Sequence, residues 1–253
     1  MGKKLALGGG VLSLLLASAA PAAVVLDYDL TGATTTAPAD WSPTTTDPGI
    51  TGAQLTRGPG VVAAGLTNGF SSDNWTLGSS SATAQTNGDY YQWGLTVQSG
   101  FEADLSTLDF SLRRSATNAP TNYEVYASFD GFTSSYGTPV STFQYLGRSS
   151  GTAPTTVVPG QWMTTDTPGQ NAGNPITTID LTGVSALQDI AAGSTVTFRL
   201  IVWGDLAGAA DTNTVALGRV DGPEIGGTVT AIPEPAGIAL LALSAIGVLR
   251  RRR

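Results

Sequence analysis

Five stretches of this chain alternate apolar and polar residues with a period of two. Leu26, Tyr28 and Leu30 alternate with Asp27 and Asp29. Tyr91, Trp93, Leu95 and Val97 alternate with Gln92, Gly94 and Thr96. Leu108, Phe110 and Leu112 form a third set, and Tyr123, Val125, Ala127 and Phe129 a fourth. Val196, Phe198, Leu200 and Val202 form the fifth, with Thr197, Arg199 and Ile201 between them. A period of two puts one set on each face of an extended strand, so each segment packs one face inward and wets the other. Shorter candidates are Phe143 to Leu146, Ile176 to Leu181, Val215 to Val220 and Ile225 to Val229. About nine strands separated by Gly, Pro, Asn and Asp predict an all-β fold, an antiparallel jelly-roll-like β-sandwich. No internal repeat points to a propeller or solenoid. The predicted helical segment within the sandwich is short, from Val184 to Ile190.

The chain has neither Cys nor His. It therefore supplies no thiol nucleophile, disulfide, Cys or His metal site, or His-based triad. Six of its twelve cations lie at the extreme ends, as Lys3, Lys4, Arg250, Arg251, Arg252 and Arg253. The interior keeps six arginines against nineteen acids, a net charge of −13, or −12 if Glu234 is also lost. So acidic a body repels phosphate backbones, and no nucleic-acid partner is expected.

The ends are organised differently from the middle. Lys3 and Lys4 open a short basic head, Leu5 to Ala20 carries no charge, and small residues crowd Ala17 to Ala23. That is the order of a secretory signal peptide over residues 1–22, with Ala20-Pro21-Ala22 as its cleavage motif. At the other end Pro233-Glu234-Pro235 precedes an uncharged run from Ala236 to Leu249, and four arginines close the chain. As a helix the run spans about 21 Å, short of the roughly 30 Å hydrocarbon core. Arginine stems extend such a span, and their charges belong on the cytoplasmic side. The body, residues 23–231, is then expected outside the membrane.

Pro233, Glu234 and Pro235, the short apolar transmembrane helix and Arg250 to Arg253 together resemble the PEP-CTERM sorting signal of Gram-negative bacteria, over residues 232–253. The resemblance implies recognition of the tripeptide by exosortase, a membrane-embedded cysteine protease-transpeptidase. It further implies removal of the tail, and release or attachment at the cell surface, often alongside exopolysaccharide. The basic cluster Arg250, Arg251, Arg252 and Arg253 would act as the membrane stop. The stretch from Tyr90-Tyr91-Gln92-Trp93 through Leu112-Arg113-Arg114-Ser115 to Ser128-Phe129-Asp130-Gly131-Phe132 is similar to a region of exported β-sandwich proteins bearing this signal, a group of unassigned function. Phe198-Arg199-Leu200 and Gly218-Arg219-Val220-Asp221 share that similarity. It specifies an address and a fold, not an activity.

Chemistry in the middle rests on few residue types. Two Pro- and Thr-rich stretches, Thr31 to Gly60 and Gly147 to Pro175, read as long surface loops whose hydroxyls offer O-glycan acceptors. Glu102, Glu124 and Glu224 are the candidate acid/base carboxylates, since a pair of them is what glycoside hydrolysis needs. Asp27, Asp29, Asp130, Asp205, Asp211, Asp221 and Glu224 are candidate oxygen ligands for a structural calcium, without EF-hand spacing. Trp41, Trp75 and Trp162 lie in loop-like stretches and are candidates for glycan stacking, whereas Trp93 and Trp203 lie in strand patterns and are expected to pack. Arg113 and Arg114 point to opposite faces of one strand and do not form a joint patch. Two function classes follow. The first is a structural or adhesive surface or matrix protein with no enzymatic activity and no cofactor. The second is a secreted carbohydrate-binding module with weak glycoside hydrolysis at its limit.

Overall fold

A computed structural model describes residues 23–34, 37–77, 80–114, 119–145, 162–163, 173–204, 214–219 and 221–232. The signal peptide, Pro233 to Arg253, Asp205 and Asp211 lie outside the described residues. Among those described, no helix is long and apolar enough to cross a membrane.

The fold is an antiparallel, jelly-roll-like β-sandwich built from three sheets. The first has the order β14 (Ile179–Asp180), β8 (Phe101–Asp109), β17 (Glu224–Ala231), β1 (Ala23–Asp27) and β2 (Thr45–Thr46). The second, the wide sheet, runs β12 (Trp162–Met163), β11 (Ser141–Tyr145), β10 (Asn122–Ser128), β15 (Thr195–Trp203), β7 (Tyr90–Val97) and β3 (Ile50–Gly52), with β4 (Thr56–Arg57) also on β7. The third has the order β13 (Asn174–Pro175), β9 (Ser111–Arg114), β16 (Val215–Gly218), β6 (Gly69–Asp73) and β5 (Val62–Ala64). Phe110 alone separates β8 from β9, so the first and third sheets continue into one another there. Among the described residues two pairings depart from the predicted antiparallel pattern: β12 runs parallel to β11, and Leu77 bridges Gly204 in parallel.

The predicted inward sets meet in register. Tyr123, Val125 and Ala127 face Val202, Leu200 and Phe198, and those last two pair onward with Tyr91 and Trp93. Trp93 stacks on Phe198, and Phe110 reaches across the sandwich to both Trp93 and Phe143. These rings sit in one continuous buried core. Along β8 the parity changes: Ala103 and Leu105 are buried, then Leu108. The register with β17 shifts between Gly226 and Gly227, where Thr107 and Leu105 are successive partners and Ser106 is left over. A bulge of this kind resets which face a strand buries.

Four expectations change. Phe129 is 45% exposed rather than inward, because β10 ends at Ser128. There the Asp130 carboxylate accepts from the backbone N–H groups of Phe132 and Ser134 and turns the chain. Thr31 to Gly60 is not a plain surface loop, since it supplies β2, β3 and β4 and buries Ile50 and Leu55. Arg57 pins it, stacking on the Phe70 ring at 3.5 Å while donating to the carbonyls of Pro38 and Ser71. Between Val184 and Ile190 there is a single 3-10 turn, Ser185–Leu187. A true α-helix, α1 (Ser81–Asn87), appears where none was predicted. Its sequence SATAQTN offers no apolar stripe. It is set by its ends: the Ser80 side chain accepts from Thr83 N–H, and Gly88 closes it at φ 82° in the left-handed conformation.

Candidate functional site

The alternation that sends Phe198, Leu200 and Val202 inward sends Arg199, Ile201 and Trp203 to the opposite face of β15. Beside them stand Tyr90 and Gln92 from β7, and Glu124 and Tyr126 from β10. Helix α1 and the turn after β10 lie over this outer face. Ala84, Tyr126, Phe132 and Ile201 form a second, small buried cluster, with Tyr90, Tyr136 and Trp203 half-buried around it. The outer face of the wide sheet is therefore partly roofed, and its rim is where polar and aromatic groups gather.

Arg199 is the centre of that rim. Its guanidinium carbon lies 4.0 Å from the centre of the Tyr90 ring and 4.4 Å from that of Phe132. Nε donates to Gln92 Oε1 at 2.7 Å, and Nη1 donates to the Tyr136 hydroxyl at 2.6 Å. Rings on its faces and neutral acceptors at its edge hold the cation in place. Glu124 anchors a second network. Its Oε2 accepts from the hydroxyls of Ser81 and Tyr126, and Gln85 Nε2 donates to both of those hydroxyls at 3.1 Å. Burial, then the bond to Glu124, pushes the Tyr126 hydroxyl up to about 12, so it stays a neutral donor. Tyr136 is likewise raised, by burial.

The residues singled out from sequence fall elsewhere or divide. Trp75 is 3% exposed, its indole N–H donates to Ser72 O and its ring meets Tyr91 edge-on, so it has no free face for a sugar. A loop position was no guide because that loop folds back over the core. Trp41 is half-buried against the core, with Nε1 donating to Asp29 O. Trp162 pairs in parallel with Gln144. Trp93 is buried as expected, and Trp203 is half-buried.

The three glutamates do not converge. Glu102 pairs with Thr230, whereas Glu224 pairs with Asp109. Seven residues along a strand separate those points by roughly 20 Å, too far to flank one glycosidic bond. Glu124 lies on the other sheet. Of the calcium candidates, Asp27 and Glu224 are direct partners, and Asp109 stands on the far side of Glu224. Asp27 and Glu224 are both raised, first by burial and then by neighbouring carboxylates, which include Asp221. Asp130 is spent on its own turn, where bonds from Ser128 and Ser134 hold it below the usual carboxylate range. Among the described residues no group of three or more acids is arranged to hold a metal ion. Arg113 and Arg114 point apart as expected, and Arg114, 2% exposed, donates to the Ala119 carbonyl.

Sequence alone does not mark Tyr136 as a site residue, places Tyr90 and Arg199 only within a family similarity, and assigns Trp203 to packing, where it is half-buried. The signal was available in the wet half of each alternating strand, where aromatic and charged residues recur on three neighbouring strands.

No protein-family model matches the chain, and no curated protein matches it. Among solved structures, one match is the catalytic domain of Humicola grisea Cel12A, determined in complex with a soaked thio cellotetraose. It is 8% identical, covers 74% of this chain and 95% of that chain, and has a TM-score of 0.25. At that score the likeness carries no argument.

Proposed function

We propose that this chain is an exported cell-surface or extracellular-matrix protein with a structural and adhesive role, holding matrix polysaccharide on the outer face of its wide sheet. The observation that supports it best is the half-buried rim around Arg199 and Glu124, where aromatic rings alternate with fixed donors and acceptors. Sugars offer apolar ring faces and many hydroxyls, and such a surface answers both. The sorting tail supplies the address: export by the signal peptide, retention by the apolar run, then recognition of Pro233-Glu234-Pro235 by exosortase. Before processing the membrane is a partner through the C-terminal helix, and afterwards exopolysaccharide is.

Two measurements in an exporting host that carries an exosortase test this. Replacing Pro233, Glu234 and Pro235 by alanine should leave export intact and trap uncut protein in the membrane fraction. Release of that variant at the wild-type level would remove the sorting half of the proposal. Trp203→Ala should lower the exopolysaccharide retained on washed cells while surface protein stays constant. Unchanged retention would remove the adhesive half.

A further inference from the structure

The rim leaves two polar atoms open. Both bonds to Glu124 go to Oε2, and the guanidinium bonds of Arg199 use Nε and Nη1. Glu124 Oε1 and Arg199 Nη2 are therefore without a protein partner among the described residues. Neither is among the buried atoms lacking a bond, so both meet solvent. The register fixes how far apart they start. Tyr126 lies directly opposite Arg199, and Glu124 is two residues along the same strand. Such a diagonal puts their α-carbons roughly 7–8 Å apart on the same face. One charged acceptor and one charged donor thus rise from diagonal positions on the same face, each braced by hydrogen bonds to its neighbours.

We infer that this pair reads a neutral sugar unit, one hydroxyl donating to Glu124 Oε1 and another oxygen accepting from Arg199 Nη2. This rests on the polysaccharide-binding reading above and narrows it. The pair carries one charge of each sign, so locally it favours neither an anionic nor a cationic ligand. At longer range the body is strongly acidic, with six arginines against eighteen or nineteen acids. A polyuronate would meet repulsion from the whole molecule and from Glu124 itself. A neutral, hydroxyl-rich chain meets neither, and it can use both open atoms of the pair at once. Bonds in which one partner is ionised are the stronger kind, so the pair is the selective element, and the rings around it supply area.

The test is calorimetric titration of the whole chain, purified from an exporting host, against neutral hexasaccharides of glucose, mannose and galactose, with an oligogalacturonate as the anionic arm. Saturable binding to one or more neutral sugars is expected, with none to the oligogalacturonate. Glu124→Gln and Arg199→Lys should each weaken that binding about tenfold or more, since each keeps the size of the side chain but loses a charge or the planar fork. Thermal unfolding of both variants identifies any loss that comes from misfolding. If one of them is unfolded, Glu124→Asp, which retracts the acceptor and keeps its charge, takes its place with the same expected loss. Neutral binding that survives in folded variants overturns the assignment of the pair but leaves the adhesive role standing. Preference for oligogalacturonate overturns the neutrality of the ligand. Failure to bind any sugar, together with unchanged polysaccharide retention in the Trp203→Ala cells, overturns both readings.

Discussion

The wide sheet and the β14-β8-β17-β1-β2 sheet each present an outer face, and the two treat charge in opposite ways. On the wide sheet, Arg199 and Glu124 are a residue of each sign, each tied to neighbours by hydrogen bonds, under a roof formed by α1 and the turn after β10. On the other sheet, Asp27, Glu224 and Asp109 stand in one row across three adjacent strands, all of one sign. Both arrangements are forced by strand register. Register places side chains next to one another whatever their charge, and only local chemistry decides whether the result is compensated. The roofed face compensates its charges with hydrogen bonds, whereas the acidic row is only half-buried, so water still screens much of its repulsion.

The largest expected effect sets the scale for both outer faces. Phe198 points from β15 into the core, stacked on Trp93 and fully buried. Phe198→Ala should cost about 3–5 kcal/mol in denaturant unfolding. A loss below about 1 kcal/mol would mean that the two faces of β15 are reversed.

The second prediction separates the outer faces from each other. Ile201 occupies an outward position on β15, yet it is 0% exposed, covered by Ala84, Tyr126 and Phe132. Thr228 occupies an outward position on β17 and is exposed. Ile201→Ala should therefore cost about 2–5 kcal/mol, close to a core substitution. Thr228→Ala should fall within about 0.5 kcal/mol of wild type. Equal small effects at both positions would show that α1 does not roof the wide sheet, and the comparison would collapse.

The contrast between Ile201 and Phe198 also marks the limit of what could be read from the sequence. The inward sets on β7, β10 and β15 were legible because period-two alternation is a local property of each strand. The burial of Ile201 was not, since it depends on α1, whose seven residues include only two apolar ones and whose signal is a capping serine and a terminal glycine. Phe129 failed for a similar reason: the pattern continues past Ser128, but Asp130 ends the strand with side-chain bonds that no periodicity reports. The parity change at Ser106 is invisible without the partner strand, because a bulge is defined by pairing. The candidate site was least legible of all. Tyr90, Glu124 and Arg199 come from three strands far apart in sequence; Glu124 stands out there only as a candidate acid/base carboxylate, and Tyr90 and Arg199 each look like an ordinary solvated residue.

The smallest expected effect tests the acidic row directly. Burial and the nearby Asp27, Asp109 and Asp221 raise the Glu224 carboxyl above its ordinary range, and Asp27 is raised by burial and its own acidic neighbours. A raised carboxyl binds its proton more tightly folded than unfolded, so the native state holds more protons between the two pKa values. Stability therefore falls as pH rises through the raised value, and the penalty is fully present at neutral pH. It is relieved as pH drops into the carboxylate range and is absent below the unfolded value. Glu224→Gln removes the charge with little change in shape. It should stabilise the protein at pH 7 by a few tenths of a kcal/mol, up to about 1, the low end applying because both groups are largely solvated. The advantage over wild type should shrink towards zero as the pH is lowered to about 4. The difference between the two proteins is the quantity to measure, since other carboxyls pull the absolute curve both ways. Asp89 is raised by burial, while hydrogen bonds hold Asp29 and Asp180 below the ordinary range, and all three contribute equally to both proteins. If Glu224→Gln is destabilising at pH 7, the carboxylate is making a favourable contact, with a cation or a donor, and the row belongs with the compensated face rather than opposite it.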